Sequence, residues 1–519
     1  MDRRQGGPTR GGNQVKAILS VYDKNGIEDF ARGLVELGFE VYSTGGTHRA
    51  LEAGGVEVHS ISELTGFPEI MDGRVKTLHP GVHAGILANR AQPSHMEALA
   101  EQGLSAIELV AVNLYPFEAT VARPGVSVEE AVENIDIGGP TMIRAAAKNH
   151  ASVLVVVDPT DYAPVLESLR GGDVPEATRR RLAAAAFAHT AAYDSAIAEY
   201  TRGLEESEEW PRQYSVAGTK AQDMRYGENP HQAAALYRRG VEATGVAGAR
   251  QLQGIELSYN NIVDVDAAWE LVRDLPAPGA AIIKHTNPSG AATAETLAEA
   301  YQRAYDCDPQ SAFGGIVALN QEVDQETAEQ IATIFVEVVV APSYSEAAAQ
   351  VLSAKKKVRL LAVEAAPPKP VIKVVSGGFL VQTPDVGGIG RAEMRSVGVR
   401  QPTETEWAQL ELAWKVVRHV KSNAIVLVRD DAAVGVGAGQ MSRVESVKLA
   451  AQRAGDRAHG SVLASDAFFP MPDGVEAAAD AGVTAVIQPG GSVKDAEVLA
   501  VADARGMAMV YTGQRHFRH

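Results

Sequence analysis

The stretch VKAILSVYDKNGIEDFARGLVELGFEVYSTGGT, residues 15–47, decides the fold predicted for the first part of the chain. Residues 15–22 form an apolar run that predicts a strand, and residues 26–37 have helical spacing. Residues 40–43 form a second short strand pattern before a Gly-Gly turn. Apolar strands that alternate with helices are typical of a parallel sheet covered by helices on both faces. We therefore predict an α/β fold that begins at Val15.

The same alternation continues beyond this stretch. Residues 109–114 and 152–157 have the composition of buried strands, and each has helical segments beside it. Residues 175–202 form one long, Ala-rich helical pattern that closes the first unit. Parallel sheets of this kind bind ligands at the C-terminal ends of their strands, so the candidate site residues are expected there.

Composition divides the chain into segments. We predict a disordered tail (alternatively a basic docking arm) at 1–14, a first domain at 15–202, a linker at 203–222 and a second α/β domain at 223–519. The linker loses periodicity and gains charge. A Pro- and Gly-rich stretch around residues 365–399 predicts that the second domain has two lobes, about 223–370 and 390–519. No short-period repeat is found.

Charge and cysteine content exclude several classes of protein. The formal net charge of −17 argues against nucleic-acid or anionic-membrane partners, because such partners favour a basic surface. The single cysteine, Cys307, cannot form a disulfide framework or a cysteine-rich zinc site, which fits a reducing cytosol. No stretch approaches the roughly 18 apolar residues that a membrane-spanning helix requires. These features predict a cytoplasmic protein with small-molecule ligands.

Polar residues follow the first two predicted strands. Ser20 and Lys24 come after the first strand, and the segment Ser43-Thr44-Gly45-Gly46-Thr47 leads from the second strand into a helix. Glycines let the backbone approach an anion, and a helix N-terminus supplies free N–H groups. The turn therefore suits a phosphate, although a tight turn capped by a threonine is an alternative interpretation.

Further candidates lie in four later segments, GRVKTLHP (73–80), NLYPF (113–117), IDIGG (135–139) and AKNH (147–150). Strand ends converge in such folds, so these segments are expected to share one cleft. A group of lysine, aspartate and tyrosine side chains in that cleft can stabilise an oxyanion and move a proton.

These segments, in this order, resemble the inosine monophosphate (IMP) cyclohydrolase domain of the bifunctional purine-biosynthesis enzymes, together with FAHTAAYD at 187–194. The resemblance covers nearly all of residues 15–200 and implies a methylglyoxal-synthase-like fold. It implies phosphate and ribose contacts from Ser20, Lys24, Thr44, Gly45, Gly46, Thr47 and Arg74. It implies that cyclisation involves Lys76, Tyr115, Asp136 and Lys148, with Asn113 beside them. We expect His189 and Tyr193 to pack and form hydrogen bonds within the domain rather than to react.

The second domain has its own candidate in AIIKHTNPSG, residues 281–290. An apolar strand that ends in Lys284 and His285 places a cation and a titratable ring at its terminus, which fits acid–base chemistry. The glycines of GVGAGQMSR, residues 435–443, do not have the spacing of a dinucleotide-binding fingerprint. The basic-aromatic end after residue 514 follows an apolar strand and is expected to be held in place.

Across residues 223–519 the chain resembles the transformylase domain of the same bifunctional family. That family transfers a formyl group from 10-formyltetrahydrofolate to aminoimidazole carboxamide ribonucleotide (AICAR), and it needs no catalytic metal. The resemblance implies two cytidine-deaminase-like lobes and sites at a homodimer interface. The site residues that it implies are Arg225, Tyr226, Lys284, His285, Phe313, Gly314, Glu337, Asn423, Arg443, Phe468, Phe469 and Arg515. In that mechanism His285 takes a proton from the attacking amine, and Lys284 stabilises the oxyanion or helps to protonate the folate.

Two other functions fit parts of the sequence. A zinc deaminase requires a Pro-Cys-x-x-Cys pattern, which a chain with one cysteine cannot supply. A regulatory nucleotide-binding module is possible for the first domain, but Lys76, Tyr115, Asp136 and Lys148 favour an enzyme.

Overall fold

The computed structural model describes residues 15–71, 74–204, 210–240 and 244–519. The predicted tail at 1–14 and the middle of the predicted linker lie outside the described residues. The chain forms two compact units that meet in sequence at Thr219 and Lys220, and a short stretch beginning at Arg239 belongs to the first.

The first unit is built on five strands, β1 Val15–Val21, β2 Phe39–Ser43, β3 His59–Ser60, β4 Ile107–Asn113 and β5 Leu154–Val156. Its helices are α1 Ile27–Glu36, α2 Gly45–Ala53, α3 Ile61–Thr65, α4 Pro80–Leu87, α5 Pro93–Glu101, α6 Phe117–Val121, α7 Val128–Glu133, α8 Gly138–Lys148, α9 Tyr162–Arg170 and α10 Glu176–Gly203. The strands lie in the order β3-β2-β1-β4-β5, and every pair is parallel. The predicted parallel sheet is confirmed.

Burial explains why these residues form this sheet. Six of the seven residues of β4 and four of the seven residues of β1 are buried, as expected for central strands covered on both faces. On α1, Ile27, Phe30 and Leu34 form the buried stripe, and the Phe30 ring stacks on Tyr162 of α9 at 4.4 Å between centroids. The sheet edge at the C-terminal ends of β1, β2 and β4 carries the candidate residues.

The second unit contains one twelve-stranded sheet. Its strands are β8 Arg250–Gln253, β9 Gly279–Lys284, β10 Asn287–Thr293, β11 Ile316–Leu319, β12 Val338–Ala341, β13 Arg359–Ala362, β16 Arg395–Ser396, β17 Ile425–Arg429, β18 Ala432–Gly437, β19 Val462–Ser465, β20 Ala485–Gln488 and β21 Ala508–Tyr511. Two hairpins stand apart from it, β6 Thr219–Met224 with β7 Ala234–Arg238, and β14 Val371–Val375 with β15 Gly378–Gln382.

Nine helices of the described chain accompany this sheet, α11 Tyr259–Asp274, α12 Leu297–Cys307, α13 Pro309–Ala312, α14 Gln325–Ile331, α15 Glu346–Ser353, α16 Glu404–Val417, α17 Arg443–Ala454, α18 Asp473–Asp480 and α19 Asp495–Ala504. The apolar residues of α11 and α16 share one core on one face of the sheet. The helices α12, α14 and α15 cover half of the other face, and α17, α18 and α19 cover the rest. The predicted two lobes are therefore two halves of one three-layered unit.

The two lobes repeat the same topology. The order β10-β9-β11-β12-β13-β8 in the first lobe corresponds to β18-β17-β19-β20-β21-β16 in the second, with matching parallel and antiparallel pairs. The lobes join where Ala292 of β10 pairs with Ala432 of β18. The second unit is thus an internal duplication that local sequence patterns did not reveal.

A constant offset in residue number relates equivalent positions. The N-caps Ser258 and Thr403 each form a capping box, and Gly290 and Gly435 each lie where a Cβ would overlap a helix carbonyl oxygen. The difference in residue number is the same for both pairs, so it is constant from α11 to β10 and from α16 to β18. The offset defines which residues of the two lobes can be compared.

Candidate active sites

The glycine turn after β2 places two lysines at the N-terminus of α2. Gly45 and Gly46 open α2, and Gly45 has a φ of 46°. A Cβ at Gly45 would lie 3.8 Å from Lys76 Nζ, and a Cβ at Gly46 would lie 3.8 Å from Lys24 Nζ. Two ammonium groups therefore lie beside the free backbone N–H groups of a helix start, an arrangement that favours phosphate.

Two threonines connect this turn to β1. The Thr44 hydroxyl lies 2.9 Å from Ser20 Oγ and forms no capping hydrogen bond with α2. Thr47 Oγ1 accepts a hydrogen bond from Val21 N at 3.0 Å and donates one to Val21 O at 2.8 Å. The alternative interpretation of this segment as a threonine-capped turn is wrong, because the N-cap side chain bonds to β1 instead.

Asn113, at the end of β4, holds the loop that carries Lys24. Its Oδ1 accepts hydrogen bonds from Tyr22 N at 2.6 Å and Asp23 N at 2.9 Å. The rings of Tyr22 and Tyr115 meet edge to face, with 4.5 Å between centroids. Asn113 therefore fixes the backbone beside the candidate residues, and Tyr115 lies against the same loop.

Asp136 lies just before α8, close to the segment of Lys76. Its Oδ1 accepts a hydrogen bond from Gly139 N at 2.8 Å, and a Cβ on the first residue of α8 would overlap the Thr77 hydroxyl. Lys76, Tyr115 and Asp136 thus occupy adjoining loops at one edge of the sheet.

Lys148 lies elsewhere. It is the last residue of α8, whereas Asp136 precedes the first. A helix rises about 1.5 Å per residue, so roughly 15 Å separates the two ends. The Lys148 side chain is exposed at the far end. The prediction that Lys148 shares a cleft with Asp136 therefore stays a prediction, and within one chain the two residues lie at opposite ends of α8.

Arg74 forms an exposed ion pair with Glu133. Its Nε lies 3.1 Å from Glu133 Oε1, and its Nη2 contacts Oε2. The Arg74 side chain is 67% exposed. Exposed pairs contribute little free energy, so a phosphate can replace the carboxylate at low cost.

The long helix α10 supports two of the candidate loops. His189 Nε2 accepts a hydrogen bond from Leu114 N at 3.2 Å, and Tyr193 Oη accepts one from Asp136 N at 2.7 Å. Burial lowers the pKa of His189, which keeps the ring neutral and able to accept. The prediction that these residues form structural hydrogen bonds is confirmed.

In the second unit, Lys284 is the last residue of β9, and His285 lies in the turn that connects β9 to β10. His285 and Thr286 have φ values of 50° and 62°, both in the left-handed region. Lys284 Nζ donates to Phe313 O at 2.9 Å and to Gly314 O at 3.0 Å. A lysine ammonium has three donors, so one remains for a ligand.

Asp264 is a residue of this site that the sequence analysis missed. Its Oδ1 accepts a hydrogen bond from Thr286 N at 2.7 Å, which holds the left-handed turn. Burial raises the pKa of Asp264, against the opposing effect of the Thr286 N–H and the nearby His285. Asp264 lies on α11, and nothing in the sequence around it indicates that it bonds to Thr286, which follows the next strand, β9.

Asn423 and Arg443 form a buried network rather than an open contact surface. Arg443 Nη2 donates to Asn423 Oδ1 at 2.7 Å, and its Nη1 pairs with the fully buried Asp466. Asn423 Nδ2 donates to Gln440 O at 3.0 Å. Both predicted contact residues are thus next to each other, and the Arg443 charge is already neutralised by Asp466.

The two adjacent phenylalanines differ in exposure. Phe468 is 37% exposed, whereas Phe469 is fully buried in the core of the second lobe. The Phe469 backbone N–H donates to Gln488 Oε1 at 2.9 Å. The prediction of a substrate contact from Phe469 is wrong, because its ring packs inward, and only Phe468 can reach a ligand.

Phe313 and Glu337 flank Gly314. The Phe313 ring is 61% exposed and lies 5.6 Å from the Phe335 ring. Glu337 is paired with Arg359 Nη1 at 2.7 Å. Gly314 has a φ of 67°, and a Cβ there would lie 3.2 Å from Lys284 Nζ, so the turn leaves room for the lysine.

Two predicted contact residues of the second unit, Arg225 and Arg515, stack on aromatic neighbours. The Arg225 guanidinium lies 5.8 Å from the centroid of the Tyr226 ring, and that of Arg515 lies 4.7 Å from the Phe517 ring. The chain end is held in place, because His516 N donates to Asp466 O at 2.9 Å and Lys421 Nζ donates to His519 O at 2.7 Å. That prediction is confirmed.

A cavity of about 350 Å³ opens beside the Lys284 turn, at the seam between the lobes. Its lining includes Lys284, His285, Gln440, Asp308 and Arg453. Both lobes contribute polar side chains to a lining that also contains apolar residues, and the cavity is large enough to receive part of a ligand.

Within the described ranges, no group of three or more His, Cys, Asp or Glu side chains could hold a metal ion. Among those same residues, no helix has the length and apolar character needed to cross a membrane.

The chain matches two family models. One is described as the AICARFT/IMPCHase bienzyme and matches residues 146–453, and the other, an MGS-like domain, matches residues 26–141. The chain is 53% identical to the bifunctional purine biosynthesis protein PurH of Bacillus subtilis (strain 168), across 97% of this chain and 99% of the relative. PurH of Bacillus cereus (strain AH820) matches with the same identity and coverage. A crystal structure of ForH is 40% identical, covers 37% of this chain and all of its own chain, and gives a TM-score of 0.33.

Proposed function

The chain belongs to the AICARFT/IMPCHase bienzyme family, and on that premise we propose how its residues perform the two reactions. It is a bifunctional enzyme of purine biosynthesis, an AICAR formyltransferase and an IMP cyclohydrolase. The first unit contains the MGS-like match, and we assign cyclisation to it and formyl transfer to the second unit.

Formyl transfer takes place at the Lys284 turn. The amine of AICAR attacks the formyl carbon, a new N–C bond forms, and the bond from that carbon to the donor nitrogen breaks. We assign 10-formyltetrahydrofolate as the donor. His285 accepts the amine proton, and the free N–H of Lys284 stabilises the oxyanion before the proton passes to the departing folate nitrogen. The support is the orientation of Lys284, whose ammonium is held by two carbonyl oxygens at the mouth of a cavity.

The remaining contacts of this site are assigned around the cavity. Phe313 and Phe468 are included because their rings are exposed, and Gly314 because its carbonyl accepts from Lys284 Nζ. Asn423, which donates to Gln440 O, and Arg443, which donates to Asn423 Oδ1, are included with them. We include Arg225, Tyr226, Glu337 and Arg515 as contacts on the strength of the family resemblance.

Cyclisation takes place at the glycine turn of the first unit. The carboxamide nitrogen of the formylated nucleotide attacks the formyl carbon of the same molecule, and water leaves with one hydrogen from each nitrogen. Because the reaction is intramolecular, holding the folded conformer supplies much of the acceleration. Lys24 and the start of α2 bind the phosphate, Lys76 and Tyr115 face the developing oxygen charge, and Asp136 moves a proton.

We further propose a cytoplasmic homodimer. The hairpin β14–β15 exposes Val374 at 83% and Leu380 at 60%, an apolar surface that a second copy of the chain would cover. The single thiol, Cys307, is buried and free, in keeping with a reducing compartment. The domain bounds 15–202 and 223–519 are proposed as the limits of the two catalytic parts.

The assignment of one reaction to each unit rests on one observation, that two sites with a lysine lie on two separate compact units. The test is a pair of variants assayed for both reactions. Lys284→Ala is expected to lose formyl transfer by about 100- to 1000-fold and to keep cyclisation, and Lys76→Ala to show the reverse. Lys448→Ala is the matched control, because Lys448 is exposed and pairs with Glu445 on its own helix. Equal loss of both reactions in either variant would reject the assignment.

A further inference from the structure

A pair of charges crosses the seam between the two lobes close to the formyl-transfer site. Arg453, on α17 of the second lobe, forms an ion pair with Asp308 of the first lobe. Its neighbour Arg457 donates to the carbonyl of Cys307 at 2.9 Å and to that of Asp306. Two arginines of one lobe thus hold the end of α12 in the other.

Asp308 also organises the short helix that follows. Its Oδ1 accepts from Ser311 N at 3.0 Å, and its Oδ2 accepts from Ser311 Oγ at 2.7 Å. Burial opposes the charge on Asp308, but the bonds from Ser311 and the nearby Arg453 outweigh it and lower the pKa of Asp308. One carboxylate therefore serves as the cap of α13 and as the partner of Arg453.

The helix α13 leads directly to the carbonyls that hold Lys284. Gly315 N donates to Ala312 O at 2.9 Å, and Gly314 N donates to Phe335 O at 2.7 Å, which fixes the turn in between. The carbonyl oxygens of Phe313 and Gly314 accept from Lys284 Nζ. A continuous series of contacts therefore connects the Asp308 carboxylate to the lysine ammonium.

The second lobe has no such side-chain cap at the turn that follows its helix α17, Gly455–Ala458. The capped turn is thus specific to the lobe that carries Lys284. Asp308, Ser311 and Arg453 also line the cavity that opens beside Lys284, so a change in their position alters the shape of the site.

We infer that Asp308 and Arg453 are positioning residues for formyl transfer, which fix the Phe313–Gly314 turn and through it the direction of the Lys284 ammonium. This inference rests on the role proposed for Lys284. It predicts an effect on the rate of the chemical step rather than on nucleotide binding, because misplacement of a catalytic group by about 1 Å can cost on the order of 100-fold in rate.

The test measures kcat and KM for AICAR in formyl transfer, with cyclisation by the same preparation as an internal control. Arg453→Gln is expected to lower kcat by about 10- to 100-fold with little change in KM. Arg453→Lys keeps the charge and should recover most of kcat, and Lys448→Gln on the same helix should match the wild type. Asp308→Asn keeps an acceptor for Ser311 N and should lose less activity than Asp308→Ala.

A double-variant cycle separates this role from a general structural one. In single turnovers with enzyme in excess, Arg453→Gln should reduce transfer no further in a Lys284→Ala background, because its effect acts through that lysine. Additive losses, or a raised KM with unchanged kcat, would overturn the inference. If Lys284→Ala itself retained full transfer, the proposed function of the lysine would fail, and that outcome is visible independently of Arg453.

Discussion

The two central hairpins of the second unit have nearly the same backbone but different side chains. In the first lobe the turn is His285–Thr286, with φ values of 50° and 62°, and in the second it is Asp430–Asp431, with φ values of 53° and 58°. The residue before each turn is Lys284 in one and Arg429 in the other. The duplicated fold therefore has two equivalent positions, and only the first carries the lysine and histidine that we propose for formyl transfer.

The surroundings of the two cations differ in the same sense. Lys284 contacts carbonyls at the mouth of a cavity, whereas Arg429 donates to His459 O at 3.0 Å and lies 3.3 Å from Asp430. The cation of the second lobe is therefore occupied by its own neighbours. Since the backbone of the turn is common to both lobes, we propose that reactivity depends on what the turn faces.

The strongest test of the comparison gives the first hairpin the side chain of the second. His285→Asp removes the imidazole from the site and is expected to lower formyl transfer by about 100- to 1000-fold, which lies within the range of general acid–base effects. Asp430→His, at the equivalent position, should leave transfer unchanged, and both variants should cyclise normally. Steady-state assays of the two reactions measure this, and an active His285→Asp enzyme would refute the role of the imidazole.

A second test removes a contact between equivalent residues. Asp274 and His419 occupy the same position in the two lobes and bind each other, and Arg418 also pairs with Asp274. Asp274→Ala leaves the buried Arg418 without its carboxylate partner and should lower the free energy of unfolding by about 3 kcal/mol.

Equilibrium urea unfolding followed by tryptophan fluorescence can measure this loss, because Trp269 and Trp414 lie in the shared core. Asp480→Ala is the control, since it breaks an exposed pair with Arg505 and should change stability by less than about 1 kcal/mol. Equal effects of the two variants would show that the stability of the lobes does not depend on the contact between Asp274 and His419.

The same contact predicts a pH dependence. Burial raises the pKa of Asp274, but hydrogen bonds from His419 and Arg418 outweigh it and place the pKa at about 2, below the ordinary 3.8. Between these two pKa values the unfolded chain binds more protons than the folded chain. The contribution of Asp274 to the free energy of unfolding is therefore present above about pH 4 and is lost as the pH falls towards 2. It amounts to about 2 kcal/mol. The stability difference between wild type and Asp274→Asn should shrink across that window, and a constant difference would contradict the assignment.

The smallest expected effect concerns the two left-handed turns themselves. A positive φ costs more conformational free energy at Thr286 than at Asp431, because threonine is β-branched and aspartate tolerates this region better. Thr286→Gly should therefore raise the free energy of unfolding by about 0.5–1 kcal/mol, and Asp431→Gly should leave it nearly unchanged. Urea midpoints of the two variants check this, and a larger gain for Asp431→Gly would reverse the ranking.

Local patterns were enough to predict four of the five strands of the first unit and its helices α1 and α10. Burial of β1 and β4 on both faces leaves continuous apolar runs, so their strands and the glycine turn at Gly45 could be predicted from the sequence. The position of Lys148 could not be inferred from convergence of strand ends, because it lies at the end of a helix that leads away from that edge.

Long-range partners account for the rest. Asp264, Asp308 and Arg453 act through contacts with residues far away in sequence, and nothing in their own neighbours identifies those contacts. The Asp308-Pro309 pair followed by Ser311 is a helix N-cap signature that could have marked the start of α13. The internal duplication escaped notice because few equivalent positions, such as Trp269 and Trp414, keep the same residue.

The twelve-stranded sheet has a further consequence at its two margins. It ends in β16, only two residues long and beginning with Arg395, and in β8, whose Arg250 and Gln251 are exposed. Short, polar margins of this kind give an incoming strand little to pair with, which is how natural sheets avoid growing into fibres. The chain therefore combines an unusually wide sheet with protection against edge-to-edge aggregation when it is made in quantity.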